Sequence, residues 1–206
     1  MIDEAHNLVN RSLAYYSHTL SRDQIVKLKR SFRQLKRSIG GIPLPEFVPS
    51  ALEKIFRSLQ VQFDGQVTTY FVKKLDVASF QTILDKFEDD LPKYLRYLIE
   101  KSIHKPNDPV ISFYYHLKEF VETATIAENS EQFSILYNTH LSEIKILCKD
   151  ASQFLNNRIK NSFRSAIAIS ATITPFPFYR DLLGFPIEKQ FMGAFLHHFL
   201  LKTGKY

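Results

Sequence analysis

A single cysteine, Cys148, serves the whole chain, which excludes an internal disulfide framework and leaves no set of thiolates for a zinc or iron–sulfur centre. No apolar run approaches the ~20 residues that a membrane-spanning helix needs. The longest tempting stretch, Phe191 to Leu201, is broken by His197 and His198. The first residues, with acidic Asp3 and Glu4, lack the basic start of a secretory leader. Six Gly and nine Pro in 206 residues are too few for a fibrous or disordered chain. Nowhere is there a Gly-x-x-x-x-Gly-Lys-Ser/Thr run that would cradle phosphates. These absences predict a folded, cytoplasmic chain in a reducing compartment, with no membrane span.

Apolar bulk and basic charge are plentiful. With 18 Phe, 10 Tyr and 45% hydrophobic residues, the chain can bury a sizeable core in one large domain or two small ones. The formal charge is +6, and the segment from Arg22 to Arg37 accounts for the excess, holding seven Lys/Arg against one Asp. A stripe of that kind suits a polyanion such as nucleic acid; the competing reading is a solvated basic face without a partner.

The periodicity predicts a largely helical chain. Asn7 to Leu20 reads as a helix turning Leu8, Leu13 and Tyr16 inward. Ser21 with Gln24 forms a capping box that opens a second helix. There Ile25, Leu28, Phe32, Leu35 and Ile39 recur at spacings of three and four, with Lys27, Lys29, Arg30, Arg33, Lys36 and Arg37 largely elsewhere on the surface. Gly40-Gly41, then Pro43 and Pro45, end it. Ser50 with Glu53 reads as another capping box, for a helix to about Phe63, and Asp64-Gly65 as a turn. Gln66 to Leu75 favours a strand by composition, with a helix as the alternative. Asp76 caps a helix to about Ser102 that Pro92 can bend, and Asp108-Pro109 opens one to about Glu128.

Beyond Phe133 the grammar changes. Ser134 to Asn138 and Glu143 to Cys148 form a hairpin, Ser152 to about Phe163 a helix, and Ala166 to Ile169 a small apolar strand. Strand, helix, strand is the pattern of an α/β layer, whose last strand is expected to be buried.

Two motifs bear on chemistry. Met1-Ile2-Asp3-Glu4-Ala5-His6 places an acid and its neighbour after an apolar start. In nucleotide-driven motors the first acid holds Mg²⁺ and the adjacent Glu orients and deprotonates the attacking water. The bland alternative is an acidic pair near a helix N-terminus, where carboxylates are favourable anyway. Far downstream stand Ile169-Ser170-Ala171-Thr172-Ile173-Thr174-Pro175, Phe178-Tyr179 and Leu182-Leu183-Gly184-Phe185-Pro186.

Asp3 to Val9 resembles the DEAH box of XPD/DinG helicases, Tyr15 to Ser17 also suits bacterial members, and the downstream run resembles their Ser-Ala-Thr motif III with its following helix. About 160 residues separate the two motifs, where most helicases of the superfamily have a few tens. XPD-like members insert an Arch domain at this point. The resemblance implies a mainly α chain with a small α/β part, a helical Arch-like insertion on an incomplete RecA-like motor domain. Its segments are 1–17 for the end of the first motor part, 18–130 for the Arch-like domain, 131–186 for the return to the motor, and an unmatched tail at 187–206.

The parent function so implied is ATP-dependent 5′-to-3′ translocation on single-stranded DNA, with Mg²⁺ and ATP as cofactors. The resemblance assigns Asp3 to Mg²⁺, Glu4 to water activation, and His6, Ser170 and Thr172 to coupling between the ATP site and DNA. It implies that the Arch shapes a passage for single-stranded DNA, which Lys27, Lys29, Arg30, Arg33, Lys36 and Arg37 suit. The family's iron–sulfur cysteines should precede the DEAH box, and motifs IV to VI should follow. Without them and without a phosphate cradle, the chain is expected to need the remainder of the helicase for activity. The rival class is a free-standing helical nucleic-acid-binding or regulatory protein without ATPase activity.

Other candidates read as structure. His197 and His198 with His140 or His116 lack an i, i+4 pair beside an acid, Asp89-Asp90 after Glu88 reads as a solvated helix face, and Cys148 as a small buried hydrophobe. Phe113, Tyr114 and Tyr115 read as helix core sooner than as base-stacking rings.

Overall fold

The computed structural model describes residues 1–63, 67–104, 106–172 and 174–185. In chain order the elements are α1 (His6–Tyr15), β1 (His18–Ser21), α2 (Arg22–Ser38), α3 (Phe47–Gln62), β2 (Thr69–Phe71), α4 (Val77–Glu100), α5 (Pro109–Ala127), β3 (Phe133–Asn138), β4 (Glu143–Cys148), α6 (Ser152–Ser162) and α7 (Phe176–Leu182). The described residues are mainly helical, with a small antiparallel sheet of order β1-β4-β3-β2. It divides into two compact units: Asn10–Asp150, and Met1–Val9 with the chain from Ala151 onward.

Within the Asn10–Asp150 unit, capping chemistry sets most helix starts. Both arms of the Ser21–Gln24 capping box form, and α2 buries Ile25, Leu28, Phe32 and Leu35. Ile39 is the C-cap and only half-buried. Asp76 caps α4, accepting from the Ser79 amide at 3.2 Å. Asp108 does more. Its Oδ1 accepts from the Val110 and Ile111 amides at 2.8 and 3.2 Å, while its Oδ2 accepts from the Tyr94 hydroxyl at 2.6 Å. The head of α5 is thereby tied to the middle of α4 through two side chains that are both buried. Burial, then the Asp108 hydrogen bond, push the Tyr94 phenol above its ordinary range.

The hairpin forms as expected, with Phe133 opposite Cys148 and Asn138 opposite Glu143. β1 adds to one edge, His18 opposite Ile146, and β2 to the other, Phe71 opposite Leu136, so that Thr69–Phe71, within the stretch left open between strand and helix, is a strand. Leu20, Ile144, Ile146, Phe133 and Tyr137 share one face of the sheet by this register and are buried. α5 packs on the sheet, and its Phe120 meets Phe80 of α4 edge-on at 5.4 Å.

Several expectations are corrected. α1 stops at Tyr15 instead of Leu20, because Ser17 Oγ donates back to the Leu13 carbonyl at 2.6 Å and the chain then straightens to pair with β4. α3 begins at Phe47, so Ser50 and Glu53 are no capping box: Ser50 lies inside the helix and donates to the Glu46 carbonyl. The hairpin joins β1 and β2 in one sheet, and so lies in the Asn10–Asp150 unit and not with the residues after Ala151. Ala166 to Ile169 is no buried strand. It makes a parallel bridge between Ala168 and Ile2, leaving Ile167 58% and Ile169 47% exposed, because a parallel strand is enclosed only where neighbours and both covering layers are present. The Asp64-Gly65 turn and the tail at 187–206 lie outside the described residues.

Candidate functional site

Residues distant in sequence meet in the unit that joins Met1–Val9 to the chain from Ala151 onward. The Ile2 amide donates to the Ile167 carbonyl at 2.7 Å, the Ile169 amide returns a bond to the Ile2 carbonyl at 2.9 Å, and the Ala5 amide donates to the Ile169 carbonyl at 3.0 Å. These three bonds align 2–5 with 167–169, and Ala5, fully buried, has the small side chain that such close approach allows. Glu4, at φ 49°, turns the backbone between the two anchor points so that His6 starts α1.

The turn lines up four side chains. His6 Nδ1 lies 2.8 Å from Ser170 Oγ and 3.2 Å from Glu4 Oε2, and Ser170 Oγ lies 3.3 Å from Thr172 Oγ1. Ser170 Oγ also accepts from the Thr172 amide at 3.3 Å. Which partner His6 serves depends on its proton: Nδ1–H donates to the Glu4 carboxylate, whereas bare Nδ1 accepts from the Ser170 hydroxyl. The arrangement can hold a carboxylate in one orientation and pass a proton along a short line of groups. Asp3 stands apart from it, exposed, with Oδ1 accepting from the Glu4 amide at 2.9 Å.

Mg²⁺ with a nucleotide is characteristically held by one or two carboxylates plus phosphate oxygens. Exposed Asp3 offers one such hard carboxylate, the size of protein contribution that an ion shared with phosphate oxygens takes. Among the described residues no group of three or more His, Cys, Asp or Glu gathers into a self-sufficient metal site.

The second set of candidates lies on α2, and the structure divides it. Lys27 pairs with Asp23 at 2.7 Å, Lys29 with Glu53 of α3 at 2.5 Å, and Lys36 with Glu46. Arg30, Arg33 and Arg37 are exposed, with no acidic partner among the described residues. Glu46 and Glu53 were invisible as partners in the sequence; the signal available was an acid at each of two positions seven apart on α3's leading end, matching Lys29 and Lys36 seven apart on α2.

The remaining candidates are structural. Cys148 is buried and burial raises its thiol pKa, which removes it as a nucleophile. His116 Nε2 contacts the Thr19 carbonyl at 2.7 Å and Gln24 Nε2 at 2.9 Å. Phe113 is buried; Tyr114 Oη donates to Glu88 at 2.9 Å. No helix among the described residues is long and apolar enough to cross a membrane. Compared with protein-family models and with curated proteins, the chain finds no match.

Proposed function

We propose that this chain is part of an ATP-dependent 5′-to-3′ DNA helicase of the XPD/DinG type, carrying the hydrolytic half of a nucleotide site together with a helical Arch-like insertion. The observation that supports the reading most is the 2.8 Å contact of His6 with Ser170, which joins the two resembling motifs across 164 positions of sequence. Two spurious motif matches would have no reason to share a hydrogen bond.

In this reading Asp3 would hold the magnesium ion of the nucleotide, in a reducing cytoplasmic setting. The bound magnesium–ATP supplies an electrophilic terminal phosphorus. Glu4 orients the attacking water and accepts its proton, a task that requires a carboxylate fixed in direction. His6 does the fixing through its 3.2 Å contact, and because the same Nδ1 also meets Ser170, a shift of the 170–172 segment changes how firmly Glu4 is held. That is the coupling element between hydrolysis and movement on single-stranded DNA.

The chain lacks a phosphate-cradling loop, so phosphate release measured with single-stranded DNA is expected to stay at background. Turnover that disappears in Glu4→Gln would overturn the half-site reading. The decisive companion observation is the DNA flanking the coding sequence: a Walker A sequence upstream and motifs IV to VI downstream, in any frame, are expected. Their absence would favour a free-standing helical nucleic-acid-binding or regulatory protein without ATPase activity.

A further inference from the structure

The division of charge on α2 goes beyond a generic basic face. Lys27, Lys29 and Lys36 spend their charge on Asp23, Glu53 and Glu46. Two of those bonds staple α2 to α3 or its cap, and Lys29 and Glu53 are largely enclosed, with side chains 30% and 16% exposed. Arg33 sits one turn from each staple, between them, and has no acidic partner among the described residues. It edges a cleft of about 190 Å³ between α2 and α3 whose walls include Phe32, Pro49 and Ser50. Arg30 and Arg37 flank it at spacings of three and four, which puts all three guanidinium groups on one stripe roughly 10 Å long.

A helix needs no such stripe for itself. Arg37, in the last turn, favours the helix dipole, but Arg30 and Arg33 lie mid-helix, where an unpaired cation adds nothing to stability. All the unpaired cations of the set are arginines and all the paired ones are lysines. Guanidinium presents a planar fork that matches phosphate in two parallel hydrogen bonds, whereas ammonium acts as a point charge.

We infer that Arg30, Arg33 and Arg37 form a strip that binds consecutive backbone phosphates of a single-stranded nucleic acid, while the three lysines serve the fold. At about 1.5 Å per residue the three guanidinium groups span roughly 10 Å, one to each of about three phosphates. The contacts read charge and spacing only, so binding is sequence-blind. The choice of a single strand rests on the helicase reading; the phosphate chemistry does not.

The test is fluorescence anisotropy of labelled oligo(dT) with the full chain across a sodium chloride series. Each phosphate contact on a single strand contributes about 0.7 to the slope of log K against log salt. Arg30→Gln/Arg33→Gln/Arg37→Gln is expected to shallow the slope by about 2, Arg33→Gln alone by about 0.7, and Lys27→Gln/Lys36→Gln to leave it unchanged. Circular dichroism checks that each variant is folded, and the single variant decides if the triple one is not. Equal slopes for wild type and the arginine variants, an equal loss in the lysine pair, or no binding at low salt each overturns the strip. So does displacement of the oligonucleotide by oligo-glutamate at equal charge, which would make this a dock for an acidic protein. Arginine dependence without helicase motifs in the flanking DNA leaves the strip standing and removes only the motor; motifs present with a flat arginine response do the reverse.

Discussion

The two units enclose their apolar residues very unequally. In Asn10–Asp150 the aromatic side chains of Phe56, Phe80, Phe87, Tyr94, Phe120 and Tyr137 are almost wholly shut away from solvent. In the other unit the buried hydrophobic residues, among those described, are Ala5, Ala151 and Leu183, while Phe163, Ile167, Ile169 and Phe178 are exposed. The first is held by a core. The second is held by directional contacts: three backbone bonds between 2–5 and 167–169, the His6–Ser170 contact, and a bond of 2.6 Å from Asn156 Nδ2 to the Gly184 carbonyl. The residues that carry the proposed chemistry thus stand in the unit that encloses the fewer apolar side chains among the described residues, the kind of region where local opening is easiest.

The largest expected effect comes from deleting the same ring in each unit. Phe120→Ala removes a fully buried ring packed on Phe80 and should cost about 3–5 kcal/mol in urea unfolding. Phe178→Ala, at a site 56% exposed, should stay within about 0.5 kcal/mol. Comparable losses at both positions would erase the distinction between a core-held and a bond-held unit.

How well the sequence could be read follows the same division. Local signals were sufficient wherever a side chain answers its own backbone: the Ser21–Gln24 box, the Asp76 and Asp108 caps, and the two strands of the hairpin. Ser50–Glu53 has the same letters as a capping box but is none, because the helix already begins at Phe47 and Ser50 lies inside it, while Glu53 pairs with Lys29. His18 to Leu20 continued a helical pattern and became a strand, because its partner, β4, lies more than a hundred positions away and no local window contains it. For the candidate site, the helicase resemblance implied that positions 3–6 and 170–172 belong together, but only the structure gives the single Nδ1 shared by Glu4 and Ser170, with Asp3 outside that line. The Lys29–Glu53 and Lys36–Glu46 pairs were not legible either, since they depend on how α3 lies against α2.

A smaller effect is expected from glycine, and it separates the units by mechanism. Gly41 and Gly184 both have positive φ, 74° and 67°. A methyl group on Gly41 would meet nothing within 4 Å, so Gly41→Ala costs only the left-handed backbone strain of roughly 1–2 kcal/mol. On Gly184 it would stand 2.1 Å from the Ser152 carbonyl oxygen and 2.8 Å from the Asn156 amide nitrogen, both backbone atoms of α6 or its start. Gly184→Ala must therefore push Leu183 and α7 away from α6 on top of the same strain. Amide exchange should show protection lost across α6 and α7 in Gly184→Ala and unchanged there in Gly41→Ala. Protection retained in both would mean that α6 and the 183–185 turn are not held together by this contact.

The smallest effect is one of pH, and it should act on the core-held unit. His18 on β1 has Nδ1 2.8 Å from Thr123 Oγ1 and Nε2 3.6 Å from Glu119 Oε2. Burial holds its imidazole pKa below the ordinary 6.5; the Glu119 carboxylate, and Glu122 more weakly, pull it up, and His116 adds to the depression. The unfolded chain therefore takes up a proton near pH 6.5 while the folded chain still resists, so over that window the unfolded state binds more protons and stability rises with pH. The contribution is complete above 6.5 and is lost as pH falls through the lower folded value. Urea unfolding at pH 7 and pH 5, the latter still above the ordinary carboxylate range, should show a larger loss for wild type than for His18→Gln. In Glu119→Gln the upward pull is gone, the folded imidazole is depressed further, and the loss between the two pH values should exceed that of wild type. Equal losses in all three proteins would mean that the desolvation at His18 is relieved in solution, and that β1 lies less closely against α5 than the Thr123 contact requires.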